Sequence, residues 1–303
     1  MTIAVCYVCA EGVVLGADST TTWSGAVGGN HYFNNNQKLF EVGAGGSVGI
    51  ATWGLAGFGQ RLSIRTVVAE FADKLEAVPQ PTIADVASAW EAHLWPVYRD
   101  YLDNSAELQF YRDIKAKGQF VAGAPGAILA PNMRSEKEEQ AFQLVHNNLT
   151  IGFYVAGRGS SSRSPGALVV EFDANMAAPP GPGALASGVL SWSGVPNIAS
   201  RVVRGYDHIL RNELLNSPHW TGSAADLDQI LNRQNLAPAG TLPIRDAVDY
   251  VYSCIFGTIK AMKFSQLPPI CGGVIEVAVL TSDREFRWVK HKSWSAGIDE
   301  VME

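Results

Sequence analysis

Three residues near the start of the chain have side chains that together suit nucleophilic catalysis: Thr2, Asp18 and Lys38. A threonine hydroxyl is a good nucleophile only when a nearby base takes its proton. If Met1 is removed, Thr2 gains a free amine, whose ordinary pKa of roughly 7.7–8.0 allows it to act as that base. A neighbouring lysine ammonium favours the neutral amine, and an aspartate holds the lysine charged and in place.

The elements predicted around these residues bring them to one place. Residues 3–9 and 13–17 have the composition of two strands joined by a tight turn. This hairpin returns Asp18 to the vicinity of Thr2, and Lys38 is the first residue of the next predicted strand. We therefore expect a partly buried Asp18–Lys38 ion pair next to Thr2.

Backbone N–H groups near Gly54 are the predicted donors for an oxyanion, and one good donor lowers the barrier by about 3 kcal/mol.

The side chains of Thr2, Asp18 and Lys38 also have ordinary structural explanations. Thr2 is a common residue after an initiator methionine, Asp18 suits a turn or cap, and Lys38 suits a solvated strand end. Their combination is what favours catalysis.

The rest of the chain alternates strand patterns with helix patterns. Strands are predicted at residues 38–42, 47–52, 150–156, 167–172, 273–281 and 285–291, and helices at 62–78, 83–114 with an end or kink at Pro96, 196–215 and 244–263 with Pro243 as first residue. The first two hairpins are expected to form one four-stranded antiparallel unit. This order fits an α+β fold with two stacked antiparallel sheets covered by helices.

The pattern contains no repeat and no linker that would separate a second domain. We therefore expect a single domain over residues 1–303, with insertions of undetermined structure at about 119–148 and 216–240.

Composition excludes several classes of function. The chain has 303 residues, 47% of them hydrophobic, and a formal charge of −6 without a Lys/Arg cluster, which argues against nucleic acid or an anionic membrane as partner. No apolar stretch reaches the roughly 18 residues that span a bilayer. The opening apolar run lacks preceding basic residues and contains Glu11, so we expect no signal peptide and a cytoplasmic location.

The cysteines and histidines give no indication of a metal or cofactor. Cys6 and Cys9 resemble a Cys-x-x-Cys pair, but residues three apart on a strand point to opposite faces, so buried reduced thiols are expected. The six histidines have no ligand-type spacing. The loop at residues 157–160 resembles a phosphate-binding loop only loosely.

Several segments resemble the proteasome β-subunit group of N-terminal nucleophile hydrolases, which includes the bacterial HslV-type protease. The resemblance rests on Thr2-Ile3-Ala4-Val5, Gly12-Val13-Val14-Leu15-Gly16-Ala17-Asp18-Ser19, Lys38-Leu39-Phe40-Glu41-Val42, Trp192-Ser193-Gly194 with Ala199 and Arg204-Gly205-Tyr206, and Cys271-Gly272-Gly273-Val274. The interval from Thr2 to Asp18 equals that between the nucleophile and the aspartate of the family.

The resemblance implies a four-layer αββα sandwich, cleavage of peptide bonds by Thr2 through an acyl-enzyme, and no cofactor. It matches Ser193 to a serine that supports the nucleophile. It also implies peptide or unfolded-protein substrates, self-association into rings or a related homo-oligomer, and an ATP-dependent unfoldase as a possible partner.

Two departures from the family concern the support of the nucleophile and the chain length. Pro268 and Cys271 occupy the places of an aspartate and a serine that support the nucleophile's amine, so that support is absent or rebuilt. The two insertions make the chain longer than typical members. Two alternatives remain: an amidase or transpeptidase with a small or specific substrate, and a catalytically silent assembly subunit.

Overall fold

The computed structural model describes residues 2–24, 30–59, 62–118, 133–233, 235–238, 240–266 and 268–293. The strands within these residues are β1 Ile3–Val8, β2 Gly12–Ala17, β3 Thr21–Ser24, β4 Asn30–Phe33, β5 Leu39–Val42, β6 Val48–Gly54, β7 Gly57–Phe58, β8 Leu62–Ser63, β9 Ile151–Gly157, β10 Gly166–Phe172, β11 Gly183–Ala184, β12 Leu190–Gly194, β13 Glu276–Thr281 and β14 Arg287–Lys290. The helices are α1 Ile64–Ala77, α2 Ile83–Asp103, α3 Ala106–Lys115, α4 Glu136–Leu149, α5 Pro196–Arg204, α6 His208–Leu215, α7 Ala224–Asn232 and α8 Ile244–Phe264.

Two five-stranded antiparallel sheets form the centre of the fold. The first sheet has the order β12-β1-β2-β13-β14, and the second has the order β11-β10-β9-β6-β5. Strand β1 pairs with β2 through Ala4 opposite Ala17, and with β12 through Ile3 opposite Gly194. The start of the chain is therefore a central strand of the first sheet, held on both sides.

Three layers of apolar side chains separate four layers of secondary structure. One lies between the two sheets and includes Ala4, Cys6, Leu15 and Tyr154. The other two lie between the first sheet and helices α5 and α8, and between the second sheet and helices α1 to α4. The predicted αββα sandwich is thus confirmed.

Alternation along β1 divides its side chains between two of these layers. Ala4 and Cys6 face the second sheet, whereas Ile3, Val5 and Cys9 face the helices of the first sheet. Cys6 and Cys9 are accordingly on opposite faces, and the four cysteines are buried and free. Burial raises the pKa of the Cys6 thiol far above its ordinary value.

Helix α2 begins at a capping box, in which the Thr82 and Asp85 side chains accept from each other's backbone N–H groups. The helix continues through Pro96, although a proline inside a helix removes one backbone hydrogen bond. Four side chains at four-residue spacing, Trp90, Leu94, Tyr98 and Leu102, are fully buried on this helix. Their packing offsets the missing hydrogen bond, and the helix ends instead at Asp103, with Asn104 as its C-cap.

Some predictions of local structure were wrong. The first two hairpins do not form one four-stranded unit: β1 and β2 belong to the first sheet, and β5 and β6 to the second. Residues 196–215 form two helices rather than one, because Gly205 adopts φ +80° and ends α5. Pro243 is the N-cap of α8 rather than its first residue.

The two predicted insertions contain regular structure. Helix α4 lies within and just beyond residues 119–148, and α7 lies within residues 216–240. Residues 119–132, 234 and 239 lie outside the described residues. None of the helices in the described part of the chain combines the length and apolar character needed to cross a membrane.

The packing between the second sheet and α2 leads to a first prediction, which concerns the stability of the fold. Trp90 is fully buried and contacts the rings of Phe71 and Phe153 at 5.1 and 4.9 Å between centroids. Replacing Trp90 by alanine should lower the free energy of unfolding by about 3–5 kcal/mol, because it leaves a large cavity. Urea unfolding measures this loss, with Phe264→Ala, whose ring is 78% exposed, as the matched control. Equal losses in the two variants would contradict the assignment of Trp90 to the core.

Candidate active site

The centre of the candidate site is a buried ion pair between Asp18 and Lys38. The Lys38 Nζ atom lies 2.7 Å from Asp18 Oδ1, and the side chains are 3% and 0% exposed, respectively. Lys38 Nζ also donates to the carbonyl oxygen of Thr20. The backbone of Lys38 is fixed by the Thr52 N–H, which donates to its carbonyl at 2.9 Å. The sequence predicted a partly buried pair, and the structure buries it completely.

This ion pair joins the two sheets. Asp18 directly follows β2 of the first sheet, and Lys38 directly precedes β5 of the second. Its two charges are therefore supplied by different layers of the sandwich.

Three backbone N–H groups complete the environment of the Asp18 carboxylate. Ile3 donates to Oδ1 at 3.1 Å, and Thr20 and Gly272 donate to Oδ2 at 3.1 and 3.0 Å. Hydrogen bonds from amides stabilise a carboxylate in its charged form. Asp18 therefore has four donors when Lys38 is included, which is what a fully buried carboxylate requires.

Thr2 lies one peptide unit from this carboxylate. The Ile3 N–H that donates to Asp18 belongs to the peptide bond that follows Thr2, and Ile3 in turn accepts from the Asp18 N–H at 3.2 Å. The Thr2 residue is 4% exposed, and its hydroxyl makes no hydrogen bond to another described residue. Met1 lies outside the described residues.

Gly194 fixes the other side of Thr2. Gly194 pairs with Ile3 and has φ +94°, and a Cβ atom built on it would lie 1.8 Å from the Thr2 carbonyl oxygen. Only glycine permits both this conformation and this approach. The predicted Ser-Gly segment thus positions the backbone of Thr2 through its glycine.

Ser193 points into the layer between the sheets. It pairs with Ala4, and its hydroxyl lies 2.8 Å from the Tyr154 hydroxyl, which also contacts Ser191 at 3.1 Å. Burial raises the pKa of the Tyr154 phenol above its ordinary value. Ser193 therefore has Tyr154 as its partner here, and its support of Thr2 stays a prediction.

Gly54 ends strand β6, two residues beyond the Thr52 amide that holds Lys38. It has φ +87° and is exposed, and its Cβ position lies 2.2 Å from the Thr150 carbonyl oxygen. These features fix the backbone at the strand end on the second sheet. The role of its N–H as an oxyanion donor stays a prediction.

The segment before β13 contains Pro268 and Cys271 and contacts Asp18 through its backbone. Cys271 is buried close to the ion pair, and burial raises the pKa of its thiol well above the ordinary value. The next residue, Gly272, donates its N–H to Asp18 and accepts from the Ser19 N–H at 3.0 Å. This segment therefore contacts Asp18 through a backbone amide.

Sequence reasoning missed three contributors: the Thr20 carbonyl, the Gly272 amide and the Lys292 ammonium, which reaches Ser19 from the far end of the chain. The Gly272-Gly273 pair was a usable signal for the Gly272 amide, because a glycine pair indicates close backbone approach.

The described residues contain no group of His, Cys, Asp and Glu side chains arranged to hold a metal ion.

Two stacked antiparallel sheets with helices on both outer faces, and a chain start in the middle of one sheet, define a proteasome-like N-terminal nucleophile hydrolase fold. The solved structure of Anbu (ancestral beta-subunit) from Yersinia bercovieri has this fold. It superimposes with a TM-score of 0.52 and 8% sequence identity, covering 99% of this chain and 95% of the Anbu chain.

Two structures of Anbu from Hyphomicrobium sp. strain MC1 are also similar. A Gly-1 mutant gives a TM-score of 0.48 at 11% identity, covering 100% of this chain and 97% of that one. A second structure gives 0.46 at 10% identity, covering 99% and 96%. No protein-family model and no curated protein sequence matches the chain.

The ion pair gives a prediction about stability. Asp18→Asn should lower the free energy of unfolding by about 3–5 kcal/mol, because it leaves the Lys38 ammonium buried without a counter-charge. Lys38→Met should cost less, since three amides still donate to Asp18, and the double variant should cost less than the sum of the two. Urea unfolding of the three variants measures the coupling.

Asp228→Asn is the control for this experiment, because Asp228 pairs with Arg211 and is 39% exposed. Its loss should stay below about 1 kcal/mol. Additive losses at Asp18 and Lys38, or a loss at Asp18 no larger than at Asp228, would contradict a buried, coupled pair.

The backbone beside Thr2 gives a third prediction. Gly194→Ala should destabilise the protein by more than the about 1–3 kcal/mol expected for backbone strain alone, because the methyl group displaces the Thr2 carbonyl. Gly181→Ala is the matched control: Gly181 has φ +78°, and nothing lies within 4 Å of its Cβ position. Thermal and urea unfolding of both variants test this, and equal losses would show that the contact with Thr2 has no influence.

Proposed function

We propose that this chain is a threonine-type endopeptidase in which Thr2, freed by removal of Met1, is the nucleophile. The observation that carries the proposal is the buried Asp18–Lys38 ion pair, hydrogen-bonded to the amide that follows Thr2. A buried ion pair is costly and contributes little net stability, so its presence beside a threonine favours a chemical role.

In the proposed reaction the Thr2 amine takes the proton of the hydroxyl as Oγ1 attacks the carbonyl carbon of a peptide bond. The charged Lys38 disfavours protonation of the amine, and Asp18 keeps Lys38 charged. The Gly54 N–H stabilises the oxyanion. The C–N bond then breaks, the amine gives its proton to the leaving amine, and Thr2 carries the acyl group as an ester.

Water completes the proposed cycle. The amine takes a proton from the water molecule as its oxygen attacks the ester carbonyl, and Thr2 Oγ1 leaves and regains a proton. The product is a carboxylic acid, and every proton taken is returned. No cofactor or metal takes part in these steps.

Substrates, assembly and location follow from the β-subunit fold as proposals. We infer that the substrates are peptides or unfolded proteins, and that copies of this chain assemble into rings or a related homo-oligomer in the cytoplasm. An ATP-dependent unfoldase is the partner that such an assembly would use. The resemblance of the fold to Anbu, an ancestral beta-subunit, supports this view.

The deciding experiment follows Thr2 by mass. Intact-mass spectrometry of the purified protein should show loss of Met1, and a threonine-directed covalent inhibitor should add one adduct per chain. Thr2→Ala should abolish the adduct, because it removes the attacking oxygen. Thr2→Ser, which keeps a hydroxyl at the same place, is the control and should still react.

A retained Met1, or an adduct that persists in Thr2→Ala, would overturn the proposed mechanism. An unreactive protein that still assembles by size and light scattering would identify a silent assembly subunit. Comparing turnover of unfolded polypeptides with turnover of small amides then separates an endopeptidase from an amidase or transpeptidase on the same fold.

A further inference from the structure

A second group of charged side chains lies against the candidate active site, and the proposed reaction does not use it. It is formed by Lys292 and His291, which follow β14, and by Glu276 on β13. We call these three residues the C-terminal charge cluster. Glu276 is fully buried, and the Lys292 side chain is 11% exposed.

Lys292 makes three contacts through its ammonium group. Its Nζ donates to the Asn36 carbonyl at 2.8 Å, to the Ser19 hydroxyl at 3.2 Å and to Glu276 Oε2 at 3.2 Å. An ammonium has three protons to donate, so these contacts use all of them.

The two contacts outside the cluster are with the segments that carry the catalytic charges. Ser19 directly follows Asp18, and Asn36 lies two residues before Lys38. The two segments are also joined directly, because the Asn36 N–H donates to the Ser19 carbonyl at 3.0 Å. Lys292 therefore connects the segment that contains Asp18, through the Ser19 hydroxyl, with the segment that contains Lys38, through the Asn36 carbonyl.

Glu276 and His291 hold Lys292 in this place. Glu276 Oε1 lies 2.6 Å from His291 Nδ1 and accepts no hydrogen bond from the described residues. The His291 ring stacks on Trp288 at 4.0 Å between centroids, which fixes its orientation. Burial lowers the pKa of the Lys292 ammonium, and the nearby Glu276 carboxylate opposes this effect.

The Ser19 hydroxyl links Lys292 to the segment that precedes β13. It accepts from Lys292 and donates to the Val274 carbonyl at 2.6 Å. Residues 271–276 contain both Gly272, whose amide donates to Asp18, and Glu276, which pairs with Lys292. The same short segment therefore contacts the candidate active site and the C-terminal charge cluster.

We propose that Lys292 is a positioning residue, which holds the Asp18 and Lys38 segments at the separation that the Thr2 reaction requires. This inference rests on the proposed function. Lys292 does not contact Thr2 and takes no part in proton transfer; it acts through Ser19 and Asn36. A displacement of about 1 Å in a catalytic group is enough to slow a reaction strongly, so loss of this bridge affects the rate more than the stability.

The test compares Lys292→Met with Lys290→Met in the full-length chain. Lys290 is the matched control, because it is exposed and its side chain is hydrogen-bonded only to Tyr252 among the described residues. The rate of covalent labelling of Thr2 should fall about 10- to 100-fold in Lys292→Met and stay close to the parent rate in Lys290→Met. Lys292→Arg keeps the charge and donors, and should restore most of the rate.

Amide hydrogen exchange supplies a readout that does not depend on the reaction. Peptides containing Ser19 and Asn36 should exchange faster in Lys292→Met than in the parent or in Lys290→Met. If the methionine variant fails to fold, Lys292→Gln, which keeps an amide donor without the charge, takes its place in both measurements.

The outcomes separate this inference from the proposed function. An unchanged labelling rate in a folded Lys292→Met or Lys292→Gln variant overturns the positioning role. A parent protein that is not labelled at Thr2 contradicts the proposed function instead. In that case hydrogen exchange alone tests whether Lys292 connects the two segments. Unchanged exchange at Ser19 and Asn36 overturns the bridge, and faster exchange supports it.

Discussion

The buried ion pair between Asp18 and Lys38 is the interaction on which the organisation of the site depends. Each charge loses its water on folding, at a cost of several kcal/mol per ion. The protein offsets this cost with the Coulomb attraction across 2.7 Å and with three amide donors to Asp18. Because the two residues come from different sheets, the pair forms only when both sheets are stacked in register.

Backbone groups supply most of the remaining geometry. Gly194 approaches the Thr2 carbonyl more closely than any side chain would permit, and Gly272 donates to Asp18. A backbone amide is held by its neighbours in the chain and does not depend on a rotamer, so it positions a partner with little loss of conformational entropy. These backbone contacts organise the surroundings of Asp18 in a segment where Pro268 and Cys271 offer no carboxylate or hydroxyl group.

The local part of this arrangement was predictable from the sequence, and the long-range part was not. The turn at residues 10–12 returns Asp18 to the start of β1, so a hairpin pattern was enough to place it beside Thr2. The same pattern does not specify which sheet a hairpin joins, and β5 and β6 were therefore assigned to the wrong one. Alternation gave the correct faces for Cys6 and Cys9 because it depends on the strand alone.

The partners of Ser193 and Asp18 were likewise not predictable from the local sequence. Tyr154 and Gly272 lie 39 and 254 residues away in the chain, and nothing local distinguishes them from other tyrosines and glycines. Such contacts are decided by the stacking of layers, which collects residues from the whole chain.

This dependence on distant segments links the chemistry to completion of the fold. The contacts around Asp18 and Lys38 come from the start of the chain, from the residues before β5, from the segment before β13 and from the segment after β14. Contacts between such distant segments pay a large entropy of loop closure and form late in folding. The Asp18–Lys38 pair itself joins residues only 20 apart, whereas the contacts of Gly272 with Asp18 and of Lys292 with Ser19 span 254 and 273 residues, so the complete set of contacts requires the two ends of the chain to meet.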